Sequence, residues 1–390
     1  MFDIDQLRED TPGTKSIFHF NNAGAALAPK TVTKSISDYL HEEALCGGYE
    51  LESFFSERIK NVYTSIAKLL GCTEEEIAIT NSGSYSWNSI VYGLNFEKGD
   101  KILVSQHEYG SNIASLRHIC ATTEAELIYI KNDAQGQICL QSLQENLDAK
   151  VKLVAITHIA CNNALVNPVS LVGEIVSKTP SFYLVDACQS IGQVTIDVKS
   201  IKCDALVTTA RKWLRGPRGI GFAYIGKSKE NYICPAQIEQ YTLQSPQNIL
   251  SDLKIRSGAK KIELSEKNYA LILGLGVAVD YALQLGIENI ERRIGDLSSY
   301  LRKQLSQIKG VYVRDLGTKK CGIVTFTVDG YHCTNIKNAL LQNKINVSVM
   351  PSFLSPLSNI VEIIRASPHY YLQNNDIDHF CLTLRKILGA

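Results

Sequence analysis

The sequence has almost no net charge: 40 Lys and Arg stand against 39 Asp and Glu in 390 residues, a formal balance of +1. With no bulk field of either sign, general attraction to nucleic acid or to an anionic membrane is excluded as an organising feature. Any anion site has to come from local placement. Paired cysteines are also lacking. The eleven are scattered singly, with no CxxC pair and no zinc-ligand spacing, which reads as reduced, buried thiols and excludes a disulfide framework. The longest apolar run, Ala270 to Val279, stops at Asp280 and is too short to span a bilayer. The opening MFDIDQLRED is acidic and lacks the basic and apolar regions of a signal peptide, so a cytoplasmic protein is expected. No repeat or low-complexity segment breaks the chain.

What is present, from about residue 60 to 230, is an alternation of helical stretches with short apolar runs. The expected strands are Glu76–Thr80, Lys101–Ser105, Glu126–Ile130, Lys152–Thr157, Phe182–Asp186, Ala205–Thr209 and Gly221–Ile225. Several are continuous Val, Ile and Leu, as in strands buried on both faces, and their separation by helices indicates βαβ units. The fold class is therefore α/β, a mainly parallel seven-stranded sheet flanked by helices. After about residue 250 the pattern changes. Helices over Ser265–Leu285 and Ile287–Ile308 precede strands at Gly322–Val328 and Ile345–Val349, which suggests a smaller α+β C-terminal domain. The expected division is a large domain over 15–250 and a small one over 251–390, with residues 1–14 packed on the latter.

Open α/β sheets gather their sites at the C-terminal ends of strands. Just past each expected strand stand Asn-Ser82-Gly83-Ser84, Gln-His-Glu-Tyr109, Thr157-His158 with Asn162 behind, Asp186 with Gln189 behind, and Thr209 followed by Arg211-Lys212. Taken singly, each has a bland reading. Ser82-Gly83-Ser84 can be an N-cap and turn, Asp186 a helix cap, and Tyr109 packing. Arg211, Lys212, Arg215 and Arg218 can form a solvated basic turn. Taken together, they supply what pyridoxal phosphate needs. The helix N-terminus at Gly83 and Ser84 suits a phosphate, Asp186 a pyridinium nitrogen, Lys212 an aldehyde, and Tyr109 an aromatic ring.

The order of motifs resembles a known family. YLVDACQSIGQ followed by CDALVTTARKWLRGPRGIGFAYI is similar to the cofactor region of the class V aminotransferases, fold type I pyridoxal-phosphate enzymes. The likeness runs from HFNNAGAALAP through SGSYSWNSI, SQHEYGSNI and THIACNNALVNPV to GIVTFTVDG, INVSV and IRASPHYY. It implies that Lys212 holds the cofactor as a Schiff base and that Asp186 pairs with the ring nitrogen. Gln189 and Asn162 would reach the phenolic oxygen, and Gly83, Ser84, Thr209 and Arg211 the phosphate. Arg365, with Asn22 beside it, would bind the substrate α-carboxylate. A homodimer with the site at the subunit interface is implied as well, with Arg218 serving the partner's phosphate.

Three features depart from the cysteine desulfurases of that family. Tyr109 stands where they carry a stacking histidine, and Arg211 where a histidine often meets the phosphate. The stretch from Val347 to Asn359, where they carry the catalytic cysteine, has none. GGYE near residue 48, LRGPRG and RASPHYY resemble the branch containing cysteine/cystine C–S lyases, hercynylcysteine sulfoxide lyase and isopenicillin N epimerase-like proteins. The expected reaction is C–S β-elimination on a cysteine-derived amino acid, releasing pyruvate and ammonia. Transamination and epimerisation share every cofactor residue and stand as alternatives, and a non-catalytic protein on the same fold is the least favoured. Of the cysteines, Cys161 and Cys188 stand next to expected cofactor contacts. Cys188 is expected to pack against the sheet.

Overall fold

The apolar runs of the first half become one sheet. In a computed structural model, which describes residues 2–251, 253–354 and 362–389, thirteen strands form. They are β1 (Phe18–His19), β2 (Ile77–Thr80), β3 (Lys101–Val104), β4 (Glu126–Tyr129), β5 (Val151–Thr157), β6 (Phe182–Asp186) and β7 (Ala205–Thr209). They continue with β8 (Gly221–Ile225), β9 (Val311–Val313), β10 (Val324–Val328), β11 (Ile345–Asn346), β12 (Ser348–Pro351) and β13 (Glu362–Ala366). The large sheet has the order β2-β8-β7-β6-β5-β3-β4. The pairs β3–β4, β3–β5, β5–β6 and β6–β7 are parallel, and β8 runs antiparallel to both its neighbours. Every residue of β6, β7 and β8 is buried.

Side chains alternate across these strands between two cores, as the two-residue period of a strand requires. Leu103, Val154, Ile156, Tyr183, Val185 and Leu206 enter one, while Ile102, Val104, Leu153, Ala155, Leu184 and Val207 enter the other. Both faces are thus covered, the condition that permits continuous apolar strands. Since β8 is antiparallel to β2 and β7, the C-terminal ends of the remaining strands share one edge of the sheet.

A second sheet, antiparallel in the order β12-β13-β10-β9, carries the helices Ile287–Leu305, Cys333–Gln342 and Asn374–Leu388. Helix Tyr269–Leu285 packs on helices Lys30–Cys46 and Ser56–Leu70. It starts later than the apolar pattern suggests because Asn268 caps it, its side chain accepting the Leu271 N–H at 3.0 Å. The N-terminal segment reaches across the molecule. Strand β1 pairs with β11, and Arg8 Nη1 meets Asp376 Oδ2 at 2.7 Å. Residues 345–349, expected as one strand, divide between β11 and β12, which pair with different partners. Among the described residues no single helix is long and apolar enough to cross a membrane.

Candidate active site

The shared edge of the large sheet holds a cavity lined by loops after β2, β3, β5, β6 and β7. After β2, Ser82 caps helix Gly83–Val91, its Oγ accepting the Tyr85 N–H at 3.0 Å, so that Ser82, Gly83 and Ser84 present a helix N-terminus to the cavity. Gly83 is required by close approach. A Cβ there would lie 2.7 Å from Cys188 Sγ and 3.2 Å from the Thr208 carbonyl oxygen. After β3 come His107 and Tyr109, after β5 Thr157, Ile159 and Cys161, and after β6 Asp186, Cys188 and Gln189. Thr209, Arg211 and Lys212 close the ring after β7.

The polar groups are held in fixed orientations. Asp186 accepts the Cys188 N–H on Oδ1 at 2.8 Å and Asn112 Nδ2–H on Oδ2 at 2.8 Å. Gln189 accepts Trp213 Nε1–H at 2.9 Å and donates one Nε2–H to the Ala23 carbonyl at 3.0 Å, leaving its second amide proton for a ligand. Arg211 donates to the Gly24 carbonyl. Burial lowers the pKa of the Lys212 ammonium, and Arg211 adds repulsion, so the amine is more readily neutral than a solvated lysine. Burial pushes the thiols of Cys161 and Cys188 up, opposing thiolate formation.

Arg365, on β13 of the second sheet, does not line the cavity itself but backs Cys161, which forms part of the wall. Its Nη1 donates to the Cys161 carbonyl at 2.9 Å, its Nε to Ser348 Oγ at 3.1 Å and its Nη2 to Asn21 Oδ1 at 3.5 Å. Among the described residues no carboxylate pairs with it. Burial lowers its pKa to about 10. Over the same wall, Tyr109, Cys161, Met350, Leu354 and Ile363 form a small apolar cluster.

A model of the Aminotransferase class-V family matches residues 18–380. The chain belongs to the class-V aminotransferase family. It is similar to a probable cysteine desulfurase of Pyrococcus abyssi, with 26% identity over 99% of this chain and 98% of the relative. In structure it resembles the apo form of a cysteine desulfurase from Thermococcus onnurineus NA1, at a TM-score of 0.92 and 25% identity, covering 100% of this chain and 99% of that one. It also shares the fold of the cystine C–S lyase C-DES in complex with cysteine persulfide, at a TM-score of 0.86 and 22% identity, covering 96% and 98%.

Members of this family are pyridoxal-phosphate enzymes, and the residues present fit that cofactor. A helix N-terminus that faces the cavity suits the phosphate, while Asp186, without a basic side chain in salt-bridge contact, lines the same cavity as a depressed lysine. Of the residues expected from the sequence, Gly83, Ser84, Tyr109, Asp186, Gln189, Thr209, Arg211 and Lys212 all line the cavity. Asn162 is buried one residue beyond Cys161, and Arg218 is exposed outside the cavity. Asn22 is a correction. Its Nδ2 donates to the carbonyls of His19 and Ser367 at 3.0 and 2.7 Å, and its Oδ1 accepts the Tyr371 hydroxyl at 2.6 Å. No amide proton remains for a substrate, and it is Asn21 that touches Arg365. Cys188, expected against the sheet, lines the cavity instead. Asn112 and Glu108 were not singled out by sequence. Their spacing of four on a helical register was the available signal. Residues 355–359 of the cysteine-free stretch lie outside the described residues.

Proposed function

We propose that the protein is a pyridoxal-phosphate-dependent C–S lyase that performs β-elimination on a cysteine-derived amino acid, giving pyruvate, ammonia and a small sulfur-containing product. The observation that carries the choice is the state of the thiols. No cysteine occurs from Val347 to Asn359, and burial opposes thiolate formation at the two thiols that line the cavity, Cys161 and Cys188. A persulfide-forming nucleophile has to be a thiolate. The names of the relatives, cysteine desulfurases and a cystine C–S lyase, support chemistry at a carbon–sulfur bond.

Lys212 would anchor the cofactor, Gly83, Ser84, Thr209 and Arg211 its phosphate, Asp186 its ring nitrogen, and Tyr109 its ring face; Gln189 would bond its phenolic oxygen. When bound, the cofactor supplies an electron sink for the negative charge that develops at the substrate Cα. Arg365 binds the substrate carboxylate, because a desolvated guanidinium with free N–H groups suits a planar anion. Lys212 Nζ would take the α-proton as general base, its basicity lowered by burial below that of a solvated lysine. The Cβ–S bond then breaks and the sulfur leaves on a small molecule. The released aminoacrylate hydrolyses to pyruvate and ammonia. A homodimer belongs to this reading and is supported by the exposed apolar side chains of Leu45, Tyr49 and Phe54.

The test is pyruvate release across cysteine, cystine, cysteine conjugates and cysteine sulfoxides, with mass spectrometry of the protein during turnover. Pyruvate formation by the Cys161→Ser and Cys188→Ser variants, with no added sulfur on the wild-type chain, supports the lyase. A persulfide on either cysteine, together with loss of turnover on its replacement, would make the protein a desulfurase with a relocated nucleophile. Alanine as the main product would point to desulfuration, a sulfur-bearing 2-oxo acid to transamination, and a racemised amino acid to epimerisation.

A further inference from the structure

Directly behind Asp186 lies a second carboxylate. Glu108 is 1% exposed, in the loop after β3, and accepts from five donors: Ser105 Oγ at 3.1 Å, Tyr109 N–H at 3.4 Å, Asn112 Nδ2–H at 2.8 Å, Thr157 N–H at 3.0 Å and Thr157 Oγ1. A set made of donors suits an acceptor-only, ionised group. The Asn112 amide nitrogen also donates to Asp186 Oδ2 at 2.8 Å, so its two protons go to two different carboxylates. Glu108 Oε1 and Asp186 Oδ2 are therefore no more than about 5.6 Å apart, twice that distance. A flipped amide would set one oxygen against both and require both to be protonated.

Among the described residues neither carboxylate has a basic side chain in salt-bridge contact. Two desolvated like charges this close are costly, and the cost is relieved when one takes a proton or when a cation arrives beside the pair. Consistent with this, burial and then the Asp186 charge push the Glu108 carboxyl up to about 7. Asp186 faces the cavity and Glu108 does not, so the cation has to arrive on the Asp186 side. A protonated pyridine ring is such a cation.

We propose that Glu108, acting through the shared Asn112 amide, is a positioning residue for Asp186: it fixes the inner carboxylate and places a second negative charge behind it, so that the ring nitrogen of bound pyridoxal phosphate keeps its proton. This rests on the cavity being the pyridoxal-phosphate site. The arrangement joins adjacent strands, with Asp186 ending β6, Thr157 ending β5 and Glu108 following β3.

The test uses holoenzyme carrying pyridoxal phosphate labelled with 15N in the ring, whose nitrogen shift reports protonation directly. Wild type should stay protonated through neutral pH and lose the ring proton only toward the alkaline end of the range in which the protein is folded. Asn112→Ala, which leaves both carboxylates in place, and Glu108→Gln should each move ring-nitrogen deprotonation downward by about one pH unit, tenfold in the protonation equilibrium. Glu108→Gln leaves an N–H group without an acceptor and can fail to fold, in which case Asn112→Ala decides. If the folded variants bind the cofactor and titrate as wild type does, the positioning role is overturned while the cofactor assignment stands. If wild-type protein takes up no labelled cofactor, the cofactor reading fails, and this proposal with it.

Discussion

Arg215 and Arg365 are both buried, at 1% and 4% exposure, and neither pairs with a carboxylate among the described residues, yet they do different work. Arg215 is held by short contacts and by aromatic rings. Its Nε donates to the Leu27 carbonyl at 2.8 Å, Nη1 to the Tyr370 hydroxyl at 2.9 Å and Nη2 to Thr11 Oγ1 at 2.5 Å. Its guanidinium also lies 4.6 Å from the ring centre of Tyr371. It is a staple that ties the N-terminal segment and the C-terminal aromatic pair to the turn carrying Lys212. Arg365 has longer contacts, one of them 3.5 Å, and its guanidinium donates to the carbonyl of Cys161, which lines the cavity. A buried guanidinium is thus not a binding site by itself. Looser contacts next to the cavity lining, with no aromatic ring among the described residues closing over the guanidinium, set Arg365 apart.

The contrast breaks most sharply at Arg365. Arg365→Ala should lower kcat/KM on the order of 10²-fold, with a smaller loss of stability than the change at Arg215 because its contacts are longer. Arg365→Lys should recover little of it, because a point charge cannot reproduce two parallel hydrogen bonds. Undiminished amino-acid binding by the Ala variant would move the carboxylate anchor elsewhere. Arg215→Ala should show the reverse, a loss of about 3 kcal/mol of stability from the cavity and the orphaned Thr11, Leu27 and Tyr370 oxygens. Activity per folded molecule should change far less. A thermal melt beside a steady-state assay separates the two, and equal behaviour of the variants would dissolve the distinction.

A smaller effect sharpens the same comparison at the neighbouring asparagines. Asn22→Ala should cost about 1–3 kcal/mol of stability, since it strips partners from buried Ser367 and Tyr371 groups, without a specific rise in KM. Asn21→Ala should leave the melt nearly unchanged and raise KM only a few-fold, as a 3.5 Å contact to Arg365 warrants. The opposite pattern would restore Asn22 to the substrate site.

The strands that build the cofactor edge were legible because they are apolar runs with polar residues at their ends. Phe182–Asp186, Ala205–Thr209 and Gly221–Ile225 fall where the sequence places them. The residues just past those strands followed from topology, and so eight of the expected contacts line one cavity. What was not legible depends on long-range pairing. Strand β13, which carries Arg365, shows no isolated apolar run, and the break between β11 and β12 comes from their different partners. Arg215 belongs to a charge run whose ordinary fate is solvent. Only the arrival of Thr11 and Tyr370 from distant parts of the chain buries it. Glu108 and Asn112 escaped notice for a similar reason, since their meaning lies in a bridge to Asp186 across adjacent strands.

Lys212, in one cavity with Asp186 and depressed by burial, is the lysine on which the proposed chemistry depends. Borohydride reduction of the holoenzyme, followed by digestion and mass mapping, tests this without reference to any substrate. The expected result is a single pyridoxyl-modified peptide bearing the label on Lys212, absent from the Lys212→Ala variant. A label on any other lysine, or one that survives in that variant, would contradict the account.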